Sequence, residues 1–405
     1  MNSSTIDLFT MALGLHHPWT CTKIDFSSSM GKLDIWVDFA RGTRFACPSC
    51  ERQECAVHDT VDKQWRHLNF FQHECYLHAR VPRVRCDACG VHLVAVPWAR
   101  PGSGFTLLFE ALVMAMTESM PVAEVSRMVT EFDTKLWRII RHHVEQARAR
   151  ESHAAVERVG IDETARARGH AYVSVFVDLD TRRVLYAAPG RGQDAVADFA
   201  ADLMAHDGDP AAVTDVCMDM SPAFIAGVET HLPDAAITFD RFHVMQLASH
   251  AVDLVRREEQ KTVKELKRSR YLWLKNPDTL RNAERDRFAG LSRRNLKTVR
   301  AWNLRMSLRA FWEQHPADAA AYLTRWYHWA IRSRLAPMVH LARTVQRHWH
   351  GILQYVASGV NNGVVEGINS KIQLARSRAR GYRSVRNYIT MIYLVAGRLQ
   401  YELPT

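Results

Sequence analysis

The sequence predicts a multidomain α+β chain: a small metal-held N-terminal module, a short helical domain, and an α/β domain interrupted by a long helical insertion. Three observations carry that expectation. Two Cys-x-x-Cys pairs lie near the N-terminus, strand-like runs cluster between residues 156 and 240, and no comparable run occurs from about Arg256 to Gln354. Alternation of period 2 marks the strands and recurrence near 3.6 marks the helices. The boundaries this implies are 1–100, 101–150, 151–255, 256–355 and 356–405, the third and fifth segments being two parts of one domain.

Composition bounds the class. With 405 residues, 47% hydrophobic and 24% charged, the chain is globular and long enough for two to four domains. A net charge of +10 and a pI near 9.3 call for a polyanionic partner, nucleic acid or an anionic membrane surface. Membrane is the weaker choice, because no apolar run approaches the roughly 20 residues of a spanning helix and the arginines are spread over several segments. Met1 to Leu15 lacks a basic segment followed by a continuous apolar one, so a cytoplasmic protein is expected.

Eight cysteines in such a chain argue for metal rather than disulfides. Cys47-Pro48-Ser49-Cys50 and Cys86-Asp87-Ala88-Cys89 are separated by 35 residues (51 to 85), as for two knuckles facing each other across one structural Zn²⁺. A hairpin must fill the gap, and the alternating run Tyr76 to Val84 is its strand candidate. Cys55, Cys75, His58, His73 and His78 compete as ligands, but only the two pairs have knuckle spacing. Cys21 and Cys217 read as buried thiols.

Helical patterning follows. Phe105 to Glu118 is an apolar helix, Pro121 starts a second through about Val129, and Thr130 to Asp133 makes a turn. A third helix runs from Thr134 to about Arg148, capped by Asp133 or Thr134. Leu136, Ile139, Ile140 and Val144 share its inward face, leaving Lys135, Arg138, Arg141 and His142 outward. This reads as a helix-turn-helix with a basic recognition helix.

From Val156 the pattern turns to strands: Val156 to Asp162, Tyr172 to Leu179 and Arg183 to Ala188, then a helix at about Asp194 to His206. A strand Ala212 to Asp219, a helix after Pro222 and a strand Ala235 to Asp240 come next. The order β-β-β-α-β-α-β-α is that of ribonuclease H-like folds. Asp162 ends the first strand and Asp219 the fourth, which would be neighbours. Glu163 is a decoy, since adjacent strand residues point to opposite faces.

A third acid lies far downstream. Asn361-Asn362-Gly363-Val364-Val365-Glu366-Gly367-Ile368-Asn369-Ser370-Lys371 reads as a helical segment with Asn362, Glu366, Asn369, Ser370 and Gln373 on one side. Lys371, Arg376, Arg378 and Arg380 crowd near them. One carboxylate among so many cations suits a site where a metal and a phosphodiester backbone meet. The insertion between is rich in Arg, Lys and Trp; Trp302, Trp312, Trp326, Trp329 and Trp349 read as core rather than base-stacking platforms, and the basic residues as lining a DNA path.

These residues match a family. The chain resembles the DDE transposases of bacterial insertion sequences, ISL3 group, over essentially its whole length. The resemblance is carried by Gly160-Ile161-Asp162-Glu163, Asp219-Met220-Ser221, Asp240-Arg241-Phe242-His243 and Val365-Glu366-Gly367-Ile368-Asn369-Ser370-Lys371. Arg66-His67-Leu68 and Gly381-Tyr382-Arg383 also fit, whereas Gln373 stands where many relatives have lysine. It implies a catalytic triad of Asp162, Asp219 and Glu366 holding two Mg²⁺ (or Mn²⁺) ions. Asp240, His243 and Asn369 would form their surroundings. Implied partners are the double-stranded DNA of the element ends and target, bound by a homodimer or higher oligomer in the nucleoid, with no membrane. A DNA-binding regulator without turnover and a metal-dependent nuclease without strand transfer are the competing readings.

Overall fold

A computed structural model describes residues 3–167, 171–190, 192–360 and 362–404; Asn361, which opens the motif of the third acid, lies outside them. The chain divides into two compact units, residues 1–147 with 400–405, and residues 148–399.

The first unit begins with α1 (Ser3–Ala12) and the strands β1 (Trp19–Ser27), β2 (Lys32–Phe39), β3 (Arg44–Phe45), β4 (Cys55–Phe70), β5 (His73–Cys86) and β6 (Gly90–Leu93). The expected strand Tyr76 to Val84 is the middle of β5, and β4 with β5 forms the hairpin that spans the cysteine gap. The N-terminal segment, unassigned from sequence, is not an appendage. It forms an antiparallel β1–β2 hairpin, and β2 pairs in parallel with the first half of β5, while β6 pairs with the second half of the same edge. Alternation explains the register: Leu33, Ile35 and Val37 of β2 and Cys75, Leu77, Ala79 and Val81 of β5 all turn inward. Trp98 packs edge-on against both Trp19 and Trp65, ring centroids 5.0 and 5.6 Å apart.

Three helices complete this unit: α2 (Leu107–Ser119), α3 (Val122–Val129) and α4 (Asp133–Arg148). Thr106 caps α2 by accepting from the Phe109 N–H at 3.3 Å. The α3–α4 turn has no glycine; Thr130 takes the left-handed conformation instead (φ 54°), and its hydroxyl donates to Glu74 at 2.5 Å. Leu136, Ile139, Ile140 and Val144 are buried as the periodicity predicts. Glu110 is fully buried and accepts from Arg100 Nε at 2.9 Å and Ser103 Oγ at 2.6 Å, with His143 Nε2 at 2.7 Å, so the helices close around a satisfied charge.

In the second unit β7 (Arg158–Ala167), β8 (Ala171–Asp178), β9 (Arg183–Pro189), β10 (Asp215–Met218) and β11 (Ala236–Phe239) form one sheet in the order β11-β10-β7-β8-β9. β7, β8 and β9 run antiparallel; β10 and β11 run parallel to β7. Helices α5 (Gln193–Ala205) and α6 (Pro222–His231) lie between the strands in sequence. After β11 come seven helices: α7 (Arg241–Glu259), α8 (Arg270–Leu274), α9 (Asn282–Ser292), α10 (Lys297–Phe311), α11 (Pro316–Ile331), α12 (Ala336–Arg347) and α13 (Trp349–Ser358). Then α14 (Gly363–Arg378) returns to β7, and α15 (Val385–Ala396) packs on α14 and β9.

Two expectations need adjustment. Asp162 does not end its strand. β7 continues to Ala167 because β8 pairs with it up to that residue, whereas the β10 pairing stops at Gly160; Asp162 therefore lies in mid-strand, just past the end of its parallel neighbour. Of the five tryptophans, Trp312 and Trp326 are buried, and Trp302 and Trp349 are half-buried against the same core. Trp329 is 49% exposed, while the fully buried Trp273 joins the core instead. Among the described residues no helix is long and apolar enough to cross a membrane.

Candidate active site and DNA-facing surfaces

The four cysteines of the two pairs come together, their Sγ atoms all within 4.8 Å of one another, Cys50 and Cys86 at 3.6 Å. Backbone N–H groups of Ala88 and Cys89 lower the Cys86 thiol pKa, favouring its thiolate. Four such donors fit a closed tetrahedral zinc site. Among the described residues none of the competitors joins that group. Cys55 is buried beside the cluster with its thiol pushed up by burial, burial pushes Cys75 up to about 12, and His78 lies 2.6 Å from Asp34. Cys21 and Cys217 are buried thiols, as expected.

Arg66 and His67, which spacing alone left without a role, join the hairpin to the first helix of the helix-turn-helix. The buried Arg66 guanidinium donates to Asn69 Oδ1 and to the His67 carbonyl, each at 2.5 Å, and stands 5.4 Å from the rings of Tyr76 and Phe109. His67 Nδ1 is 2.9 Å from the Thr106 hydroxyl that caps α2.

On α4, Lys135 and Arg138 are exposed, with Lys135 Nζ 2.8 Å from Glu131. Arg141 and His142 are only half-exposed: Arg141 Nε donates to the Trp137 carbonyl at 3.1 Å, and burial lowers the His142 pKa. They sit at the margin of the buried stripe, which is wider than the four apolar positions suggest because His143 and Ala147 are also buried.

In the second unit α14 lies directly on β7. A Cβ on Gly160 would stand 2.3 Å from Val365 Cγ2 and 2.9 Å from Leu179 Cδ2, so the absence of a side chain there is what seats the helix. Asn369 Nδ2 then donates to Asp162 Oδ2 at 2.7 Å, and Gln373 Nε2 donates to Thr164 Oγ1 at 2.5 Å. Glu366, in the first turn of α14 and one turn before Asn369, thus shares the face aimed at Asp162. Gly160→Ala should cost about 1–3 kcal/mol by overpacking, because Val365 is a stiff β-branched side chain without room to yield. Adding Val365→Ala should restore most of it; thermal unfolding of the single and double variants checks this.

Asp219 follows β10 immediately and is half-buried, its Oδ1 accepting from the Ser221 N–H at 2.9 Å. Burial pushes the Asp162 carboxyl up; the Glu163 N–H, His243 and Asn369 oppose that, and the Asp219 charge adds to it. Asp240 caps α7 and lies 2.9 Å from His243 Nδ1, which raises the His243 pKa. Asp219 and His243 also line a cleft of about 620 Å³ with Ser221, Arg347 and His348. Glu366 is exposed, and the three carboxylates stand farther apart than the cysteine sulfurs do; among the described residues the second tight group of donors is His153, Asp202 and His206. Two of its members are engaged from within: Arg148 bonds both Asp202 oxygens at 2.8 and 2.9 Å, and both His206 nitrogens face backbone carbonyls, whereas His153 Nδ1 is buried without a hydrogen-bond partner.

His153 is buried in that group, and its pKa falls to about 4. The unfolded chain protonates near 6.5, so from about pH 6.5 down to about pH 4 it binds a proton that the folded protein refuses. Stability is therefore lost on acidification across this window, by up to about 1.4 kcal/mol per pH unit from this group. Denaturant unfolding of the second unit at pH 7 and pH 5 should show a smaller acid loss in His153→Gln than in the wild type.

Beyond Gln373 a cleft of about 1050 Å³ is lined by Arg166, Arg376, Arg380, Tyr382 and Arg383. Arg166 is anchored by donating to the carbonyls of Tyr382 and Arg383 at 3.2 and 3.1 Å. Arg378, expected with Arg376 and Arg380, does not line it, and Lys371 is exposed on α14. Arg166 and Arg383 have no site role in the sequence reading because they are 217 positions apart and only the fold joins them.

Comparison with known proteins agrees with this organisation. Residues 159–392 match a family described as transposase. Residues 94–144 match the helix-turn-helix domain of transposase family ISL3, and residues 43–89 the zinc-finger of transposase IS204/IS1001/IS1096/IS1165. The transposase for insertion sequence element IS1557 of Mycobacterium tuberculosis is 30% identical over 375 residues, covering 84% of this chain and 83% of that protein. The transposase for insertion sequence element IS1001 of Bordetella parapertussis is 29% identical over 352 residues, covering 83% and 85%. The matches run through both units in the order of the motifs, and the chain belongs to the ISL3 family of insertion-sequence transposases.

Proposed function

We propose that this DNA-binding transposase recognises the terminal inverted repeats of its own element and cuts and joins DNA with Asp162, Asp219 and Glu366. The observation that carries the reading is the seating of α14 on β7, which brings Glu366 onto the face that already bonds Asp162, beside the strand leading to Asp219. The sheet order and strand directions support a ribonuclease H-like core, with α7 to α13 as its helical insertion. Hard oxygen donors of this kind fit Mg²⁺ or Mn²⁺. Two such ions, when bound, would activate the attacking oxygen and stabilise charge on the leaving one. The chain's own part is to hold the acids: Asn369 fixes the Asp162 carboxylate, the Ser221 N–H fixes Asp219, and Asp240 steadies the His243 imidazole near both and raises its pKa. Cys47, Cys50, Cys86 and Cys89 would hold one structural Zn²⁺. The protein would act in the bacterial nucleoid as a dimer or larger assembly on DNA.

Incubation of the purified protein with its gene's flanking DNA and Mg²⁺ tests this. Nicks at the element ends followed by joining are expected. Nicks without joining would favour a nuclease, and binding without nicks a regulator.

Reading and holding of DNA should be separable. Arg138 is assigned to base edges and Arg376 and Arg380 to phosphates, where Arg166 and Arg383 join them. Base contacts carry about 1–3 kcal/mol of discrimination, whereas a lost phosphate contact weakens all sequences alike and lowers the salt slope by roughly one unit. Arg138→Ala should narrow the gap between end DNA and random DNA; Arg380→Ala should leave the gap and reduce the slope. Binding isotherms on both DNAs at several salt concentrations decide it.

A further inference from the structure

Asn362 stands immediately before α14 with its side chain 1% exposed, yet neither Oδ1 nor Nδ2 has a hydrogen-bond partner. It makes no side-chain cap to the helix it precedes. A buried polar group left unpaired is destabilising, so this position is costly unless something polar enters. Its surroundings show what could. Asn362 Oδ1 lies 3.7 Å from where a Cβ on Gly160 would stand, two residues before Asp162 on β7. Four residues along the helix is Glu366, and three further is Asn369, whose Nδ2 holds Asp162 while its own Oδ1 is also buried and unpartnered. Glu366, between these two amides, is turned out to water.

We propose that Asn362 is the positioning residue for Glu366: its carboxamide is the seat for the Glu366 carboxylate when that side chain turns inward to share a cation with Asp162. Nδ2 donates to a carboxylate oxygen, and Oδ1 accepts from water carried in with it. The inference rests on Glu366 being the third acid. It explains why an orphaned amide is kept in a buried slot beside the acids.

Asn362→Leu is the test, since leucine is of similar size and removes both unpaired atoms. The full-length variant, zinc-loaded and without added Mg²⁺ or Mn²⁺, should melt at the same temperature as the wild type or higher. Calorimetric titration with Mn²⁺ should show affinity weakened about 10-fold, as for loss of a partner that orients a metal ligand. Nicking should need correspondingly more Mg²⁺ for half its maximal rate. A melting temperature lowered by several degrees with Mn²⁺ affinity within about twofold of wild type would overturn the proposal, marking Asn362 as structural. If the leucine variant does not fold, Asn362→Ala is read by the same two measurements. Asp162→Ala separates the two levels. Mn²⁺ binding that depends on Asp162 but ignores residue 362 overturns this inference alone, whereas binding that ignores Asp162 overturns the triad and the inference together.

Discussion

Asp162→Ala, Asp219→Ala and Glu366→Ala should each reduce nicking of end DNA by about three orders of magnitude or more, with binding of the same DNA nearly unchanged. The size follows from losing several kcal/mol of charge stabilisation at the reacting phosphate, each 1.4 kcal/mol being about tenfold in rate. Binding is spared because the residues assigned to sequence reading lie in the other unit. Asp162→Asn should fail as badly as the alanine, since it keeps the size and the contact with Asn369 but not the charge. None of these variants should lose much stability: Asp162 is held with its ionisation already disfavoured by burial, and Glu366 is exposed. Gel assays for nicking and for DNA binding, run beside thermal unfolding, check all three points. Near-normal joining by any one variant would remove that residue from the triad.

Replacing Cys47 or Cys86 by serine should abolish end binding without touching a recognition residue. Structural zinc in small domains is worth on the order of 10–16 kcal/mol of folding free energy, more than the hairpin could supply by other means. The loss would spread through Arg66 and His67, because they tie β4 to Phe109 and to the Thr106 cap of α2. A hairpin no longer clamped at its cysteine end leaves the helix-turn-helix without its base. Metal analysis should find one zinc per wild-type chain, and limited proteolysis should open the first unit of the variants. Zinc-free protein that still binds end DNA would refute the assignment.

The parts readable in advance were those with a local signature. Cysteine knuckles are four-residue motifs, so Cys47, Cys50, Cys86 and Cys89 could be paired from spacing alone. Asp162 and Asp219 each follow a short apolar run, and Glu366 lies on a helix whose period is plain. What stayed hidden depended on partners distant in sequence. β2 is an ordinary alternating strand, and only its parallel pairing with β5 makes it part of the ribbon sheet. Asp162 moved to mid-strand because β8 outlasts β10 as a partner of β7. Arg166 and Arg383 become one cleft only through folding. Asn362 sits in a polar run and reads as surface; it is buried and unpaired because the fold sets the start of α14 beside β7 at Gly160.

The close approach of α13 to β11 has a consequence for how this architecture varies. A Cβ on Gly351 would strike the Phe239 ring at 2.5 Å and the Ile237 carbonyl at 3.0 Å, so the last helix of the block docks on the strand from which the first departs. Departure and return share one anchor. On the proposed reading of α7 to α13 as an insertion, these helices form a detour closed at its base, and residues gained or lost along it need not be transmitted to α14. Evolution, or a protein engineer, can remodel the detour as a cassette for new contacts while the acids keep their spacing.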